Sequence, residues 1–252
     1  MKDKKSTVLH WEKYWQHGNI EYINKIVEEL QKTCSIKYKK ILEIGAGSGA
    51  TSIKLSQVGA IAICLDYSPN SIKVIKRNAS FYNTNVLCVL ADANFLPFKS
   101  ETIDICFHQG FLEHFKDPSN LLLEQYRILK QNGFLLVDVP QKYSFYSLKK
   151  RIFIAINKWF AGWETDFSFN GLRRLICGFG FVFLRGYGRF HIRNIDRIQK
   201  RLLGKIILPK WFEIFYYKII QILENSFLGK YTAFSIGVIV KKNDQSNLLK
   251  LG

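Results

Sequence analysis

Gly45-Ala46-Gly47-Ser48-Gly49 closes an apolar run that begins at Lys40, and acids stand on both sides of it in sequence. Glu43 precedes the first glycine by two positions, Asp66 follows it by 21, and Asp92 ends a further apolar stretch. Glycines directly after a strand permit a tight turn and let a ligand approach the backbone closely. The helix that follows offers unpaired N–H groups at its first turn. An acid at the end of the second strand can accept two hydrogen bonds from ribose hydroxyls. The loop alone is a weak signal, because a tight turn without a ligand would use the same glycines.

NAD and S-adenosylmethionine both suit a ribose-binding acid. Gly45-x-Gly47-x-x-Ala50 satisfies a loose dinucleotide fingerprint, so an oxidoreductase is one reading. A P-loop is excluded, since no Gly-Lys-Ser/Thr follows the loop. Glu43 favours a ligand carrying a positive sulfonium and amino group over a pyrophosphate. Asp92, in Ala91-Asp92-Ala93, can accept from the exocyclic amine of adenine or serve as a turn acid. For proton chemistry the candidates are His108, His114 and His191, with Tyr143 as a polar contact.

The elements that must position these groups alternate. Strands are predicted at 40–45, 60–66, 86–90, 103–108 and 134–139, and helices at 48–58, 69–81 and 118–130. Ser68 is the expected N-cap of the second helix, with Pro69 in its first turn. Asn132-Gly133 is the expected stop of the third. A helix at 172–177, a strand at 181–185 and a last strand at 232–240 complete the pattern. Such alternation predicts an α/β fold, a parallel sheet with helices on both faces. Ligands of these sheets bind at the carboxyl ends of the strands, where Gly45, Asp66, Asp92 and His108 lie.

These stretches resemble the class I S-adenosylmethionine-dependent methyltransferases, most closely the type 11 small-molecule group. The resemblance rests on I-L-E-I-G-A-G-S-G (41–49), L-D-Y-S-P (65–69), A-D-A-N-F-L-P-F (91–98), I-D-I-C-F-H-Q-G-F-L-E-H-F-K-D-P (103–118) and L-K-Q-N-G-F-L-L-V-D-V-P (129–140). It implies a Rossmann-like seven-stranded, mostly parallel sheet with an antiparallel last strand, here with a helical insert. It also implies S-adenosyl-L-methionine as cofactor. Gly45, Ala46, Gly47 and Gly49 would then shape the loop beside the methionine part, and Glu43 would hold its amino-acid end. Asp66 would take the ribose, Tyr67 would pack on adenine, and Asp92 and Ala93 would address its edge. His108 and Gln109 would lie near the methyl group. His108 and His114 are the catalytic candidates, and Tyr14, Tyr143 and Trp163 the acceptor-side candidates. No metal ligand set is expected.

Composition and charge bound the rest. Hydrophobic residues make up 48% of the 252 and aromatic ones 15%, enough to build a core and to exclude a disordered chain. No apolar run reaches the length of about 18 residues that a spanning helix needs. The amino terminus lacks the apolar stretch of a secretory signal, which predicts a cytoplasmic chain. The five cysteines form no Cys-x-x-Cys pair and read as reduced thiols, three of them in apolar, strand-like runs. The net charge of +17 is uneven: residues 141–230 hold 17 Lys and Arg against 5 Asp and Glu. This predicts an anionic or amphiphilic partner for that part.

A single domain over 1–252 is therefore expected, with cap helices in 1–35, a lid helix at 144–162 and a basic amphipathic insert at 189–230. The expected reaction is in-line methyl transfer to a small-molecule or lipid-linked acceptor, with peripheral contact to an anionic membrane at the inner surface. Rival readings are an inactive cofactor-binding partner subunit, an NAD-dependent oxidoreductase and an RNA methyltransferase. The last is disfavoured because His108-Gln109-Gly110-Phe111 stands where an amine-methylating Asn-Pro-Pro-Tyr/Phe motif would fall.

Overall fold

The computed structural model describes residues 24–156, 164–190 and 229–243, together with Trp211, Phe215, Lys218, Ile219, Ile222, Leu223 and Ser226. The expectations for Tyr14, Trp163, His191, most of the 1–35 cap and most of the 189–230 insert lie outside the described residues.

The chain runs α1 (Asn24–Thr33), β1 (Lys40–Ile44), α2 (Ala50–Gln57), β2 (Ile61–Asp66), α3 (Pro69–Phe81), β3 (Leu87–Leu90) and β4 (Ile103–Gln109). A 3-10 turn at Leu112–His114 follows, then α4 (Ser119–Ile128), β5 (Leu129–Pro140), α5 (Phe145–Ala155), α6 (Phe169–Cys177), β6 (Phe181–Arg189), the single turn α7 (Gly229–Thr232) and β7 (Ser235–Lys242). The seven strands form one sheet in the order β3-β2-β1-β4-β5-β7-β6. Pairings from β3 to β5 are parallel, and β7 is antiparallel to both β5 and β6. The expected Rossmann-like sheet with an antiparallel last strand is therefore present.

Local chemistry accounts for several boundaries. Ser68 caps α3 by accepting from Ser71 N at 3.1 Å, with Pro69 at the first helical position. Gly49 caps α2 with φ of 70°, a left-handed conformation in which Ile75 would crowd any side chain. One face of the sheet packs Leu42, Ile44, Cys106, Leu135 and Val137 against Leu121 and Leu122 of α4 and Leu172 and Ile176 of α6. The other packs Ile41, Ile105, Phe107 and Leu136 against Ile26 and Leu30 of α1 and Leu55 of α2.

Three elements depart from expectation. The third helix does not reach Asn132-Gly133: β5 begins at Leu129, which pairs with Ile103, and a register shift follows before Phe134 pairs with Ile105. Asn132, with φ of 62°, belongs to that irregular stretch of strand. β6 continues past 185 to Arg189, so Arg189 is a sheet residue rather than the start of the basic insert. It is buried, and its guanidinium donates to Asp138 Oδ1 at 3.0 Å. The last strand starts three residues late, because Gly229–Thr232 forms a helical turn packed so tightly on β6 that a Cβ at Gly188 would lie 2.0 Å from Gly229 O.

Candidate cofactor site

At the carboxyl ends of β2, β3 and β4 lies a cavity of about 280 Å³. β1 contributes Gly45 just past its end, and β2 contributes Leu65, Asp66 and then Tyr67. The turn after β3 supplies Ala91, Asp92, Ala93 and Asn94. The end of β4 and the 3-10 turn supply Gln109, Gly110, Phe111, His114 and Phe115. Six expected cofactor residues, Gly45, Asp66, Tyr67, Asp92, Ala93 and Gln109, are thus brought together with the candidate base His114.

Asp66 ties the loop to the sheet. Its Oδ2 accepts from Gly47 N at 2.9 Å and its Oδ1 from Ser68 N at 2.9 Å. Burial raises its pKa, and these backbone donors, with Ser71 and Tyr67, oppose the rise. Ser71 Oγ donates to Gly47 O at 2.7 Å, fastening α3 to the same loop. Asp66 also lines the cavity, so its carboxylate edge faces the ligand space. Asp92 is exposed, and its Oδ1 accepts from the backbone and side-chain nitrogens of Asn94 at 2.8 and 3.0 Å.

The loop amides are largely consumed within the protein. Ala46 N donates to Leu65 O at 3.1 Å, Gly47 N to Asp66, and Gly49 N to Ala46 O at 2.8 Å. A pyrophosphate cradle needs such N–H groups free and facing the anion. This loop instead rests its Gly47 amide on the Asp66 carboxylate at the cavity wall. The arrangement suits a ligand without phosphate groups whose charge is positive at one end.

Glu43 does not line the cavity. It is buried under the first turn of α2, where its Oε2 accepts from Ser52 N at 3.2 Å and Ser52 Oγ at 2.6 Å. Burial pushes its carboxyl up to about 7 against those two hydrogen bonds. Ala46 likewise packs inward, with Cys64 and Ile75.

His108 also departs from expectation. It is fully buried and is absent from the cavity wall that Gln109 joins. Burial pushes its pKa down to about 3, with the neighbouring Gln125 opposing only in part. The expected catalytic candidate His108 is thus held in the sheet, while His114 stands at the cavity wall. Tyr143 is 68% exposed and stands outside the cavity, near Lys142.

Leu65, Ala91, Asn94, Gly110, Phe111 and Phe115 are the lining residues that sequence reasoning missed. Phe111 lies so close to the loop that a Cβ on Gly45 would fall 2.4 Å from its Cδ2. Edge contacts to His108 at 5.7 Å and Phe115 at 5.0 Å hold the ring. The close approach that Gly45 permits is therefore that of an aromatic wall. Glu113, beside His114, is 3% exposed; burial, with Glu164 and Asp138 adding, raises its pKa well above the carboxylate range.

Comparison with known proteins agrees with this geometry. Residues 42–137 match the family described as a methyltransferase domain. An uncharacterized chloroplastic methyltransferase of Arabidopsis thaliana is 32% identical over 111 residues, 41% of this chain and 32% of that protein. A ubiquinone biosynthesis O-methyltransferase of Coxiella burnetii is 27% identical over 117 residues, 46% of this chain and 50% of that protein. The chain thus spans a third to a half of the length of these curated relatives. Among solved structures, the magnesium protoporphyrin IX methyltransferase of Synechocystis with bound SAH superposes with a TM-score of 0.61 at 14% identity, over 93% of each chain. Fold, loop and matched segment thus agree in a likeness to the methyltransferase domain over residues 42–137.

Proposed function

We propose that the chain transfers the methyl group of S-adenosylmethionine to a small or amphiphilic acceptor. The carrying observation is the glycine loop whose amides are spent internally, one of them on Asp66, beside a cavity edged by Asp66 and Asp92. In this reading the Asp66 carboxylate, at the cavity wall, takes the ribose hydroxyls, Tyr67 flanks the adenine, and Asp92 and Ala93 meet its edge. Gly45 and Gln109 border the amino-acid arm. Gly47 and Gly49 shape the turn, with Ala46 packed beneath it, while Glu43 acts at one remove by holding the start of α2.

When bound, the cofactor supplies a methyl already activated by its sulfonium. The protein's share is alignment and exclusion of water. Phe111 and Phe115 close the β4 end of the cavity. His114 is the lining residue that can receive the acceptor's proton when the nucleophile is a hydroxyl. The quinone-pathway enzyme named above supports a small-molecule acceptor, and the charge of residues 141–230 supports an amphiphilic or anionic one.

Isothermal calorimetry with S-adenosylmethionine, S-adenosylhomocysteine and NAD tests the reading. The first two should bind and NAD should not; binding of NAD alone would overturn it. Asp66→Asn should weaken cofactor binding about tenfold or more, as expected when a bidentate charged acceptor is lost.

A further inference from the structure

α5 is turned inside out. Its residues Leu148 and Ile152, and Ile156 at its C-cap, stand four positions apart on one stripe, and each is 53% exposed. The position facing inward is a lysine. Lys150 is 1% exposed and pairs with Glu164 Oε2 at 3.2 Å and Asp166 Oδ1 at 2.7 Å. Ser147, also buried, donates to Gln141 O at 2.7 Å. The stripe cannot rotate inward without stripping Lys150 from both acids, and leaving buried charges unpaired is strongly destabilising. An apolar face held outward by a buried ion-pair set calls for an apolar occupant.

We propose that this face of α5 docks on an anionic lipid bilayer. The apolar stripe lies among acyl chains, and the basic excess of the segment that carries α5 favours anionic headgroups. Charge selects this occupant. Residues 141–230, which contain α5, carry 17 Lys and Arg against 5 Asp and Glu; Arg151, next to the stripe, is itself spent on Asp166 Oδ2 at 2.9 Å, so the surplus lies with the other cations of the segment. A second copy of the chain would bring the same excess of positive charge to the contact. A nucleic acid would satisfy the cations and leave the stripe in water. Phe215, Ile219 and Ile222 are a second helical set of exposed apolar residues within the same basic region, at 56, 39 and 68% exposure. This inference is independent of the cofactor assignment.

Vesicle flotation tests it, using phosphatidylcholine alone and phosphatidylcholine with a third phosphatidylglycerol. The wild-type chain should float with the anionic vesicles and be released as salt is raised, because surface charge is screened within about 8 Å at physiological ionic strength. The triple variant Leu148→Ser, Ile152→Ser, Ile156→Ser should float about tenfold less, with S-adenosylmethionine affinity and melting temperature unchanged. Equal flotation of the variant, or equal binding of neutral vesicles by the wild type, would overturn the proposal. So would concentration-dependent dimerisation in light scattering that the triple variant abolishes.

Discussion

Glu43 and Asp66 sit under one loop and do different things there. Glu43 is dry and tied only to Ser52, so burial dominates and its carboxyl titrates near 7. An unfolded glutamate titrates near 4.5. The native state therefore holds a proton that the unfolded chain gives up between those values. Stability from this group is full below about pH 4.5 and falls as pH rises through 7, by roughly 3 kcal/mol. Glu43→Gln should remove that slope: between pH 5 and 7.5 its urea midpoint should stay flat relative to wild type. Parallel profiles would show that Glu43 is ionised throughout. The site was legible where strand ends decide position, as at Gly45, Asp66, Tyr67, Asp92 and Gln109. It was not legible at Glu43 and His108, because β1 and β4 are buried on both faces and show no apolar–polar alternation from which to read direction. Phe111 escaped notice for another reason, since its place depends on the 3-10 turn that folds the chain back over Gly45.

α5 shows how a non-local ion pair overrides a local pattern. Helical spacing gathers Leu148, Ile152 and Ile156 on one stripe, and the usual inference is that the stripe faces the core. The partners that set its rotation, Glu164 and Asp166, lie on a segment stitched to the cavity rim. Thr165 N donates to Glu113 O at 2.7 Å, and Lys142 N to Phe167 O at 2.8 Å. No window of sequence around α5 contains that information. Lys150→Met should cost about 3–5 kcal/mol, because Glu164 is left buried without its cation. Adding Glu164→Gln and Asp166→Asn should restore much of the melting temperature. Failure of the added changes to rescue would mean that Lys150 acts through packing alone. The same lesson holds at β5: Leu129 and Lys130 continue a good helical pattern, yet pairing of Leu129 with Ile103 draws the chain into the sheet.

The whole sheet depends on its last strand. β7 enters between β5 and β6, so the matched segment 42–137 ends with an interior strand whose far side is filled from residues 235–242. Ile236, Val238, Ile239 and Val240 of β7 are all fully buried. At about 1.5–3 kcal/mol each they contribute roughly 6–12 kcal/mol, against a total of about 5–15 kcal/mol for an ordinary domain. The strand also carries Gly237, where Tyr187 crosses so closely that a Cβ would lie 2.0 Å from its Cζ. That crossing lets the Tyr187 hydroxyl donate to Asp138 Oδ2 at 3.0 Å, next to the Arg189 pair. Asp138 lies directly below the cavity, since its carbonyl accepts from Gly110 N at 2.9 Å. Truncation after residue 228 therefore removes more than an edge: it exposes an apolar flank of β5, leaves β6 without a partner and loosens the strand that carries Asp138. The truncated chain should lose cooperative thermal unfolding in near-ultraviolet circular dichroism and should aggregate, as expected for an open apolar strand edge. A sharp transition with S-adenosylmethionine binding retained would show instead that the parallel half of the sheet folds and holds the cofactor by itself.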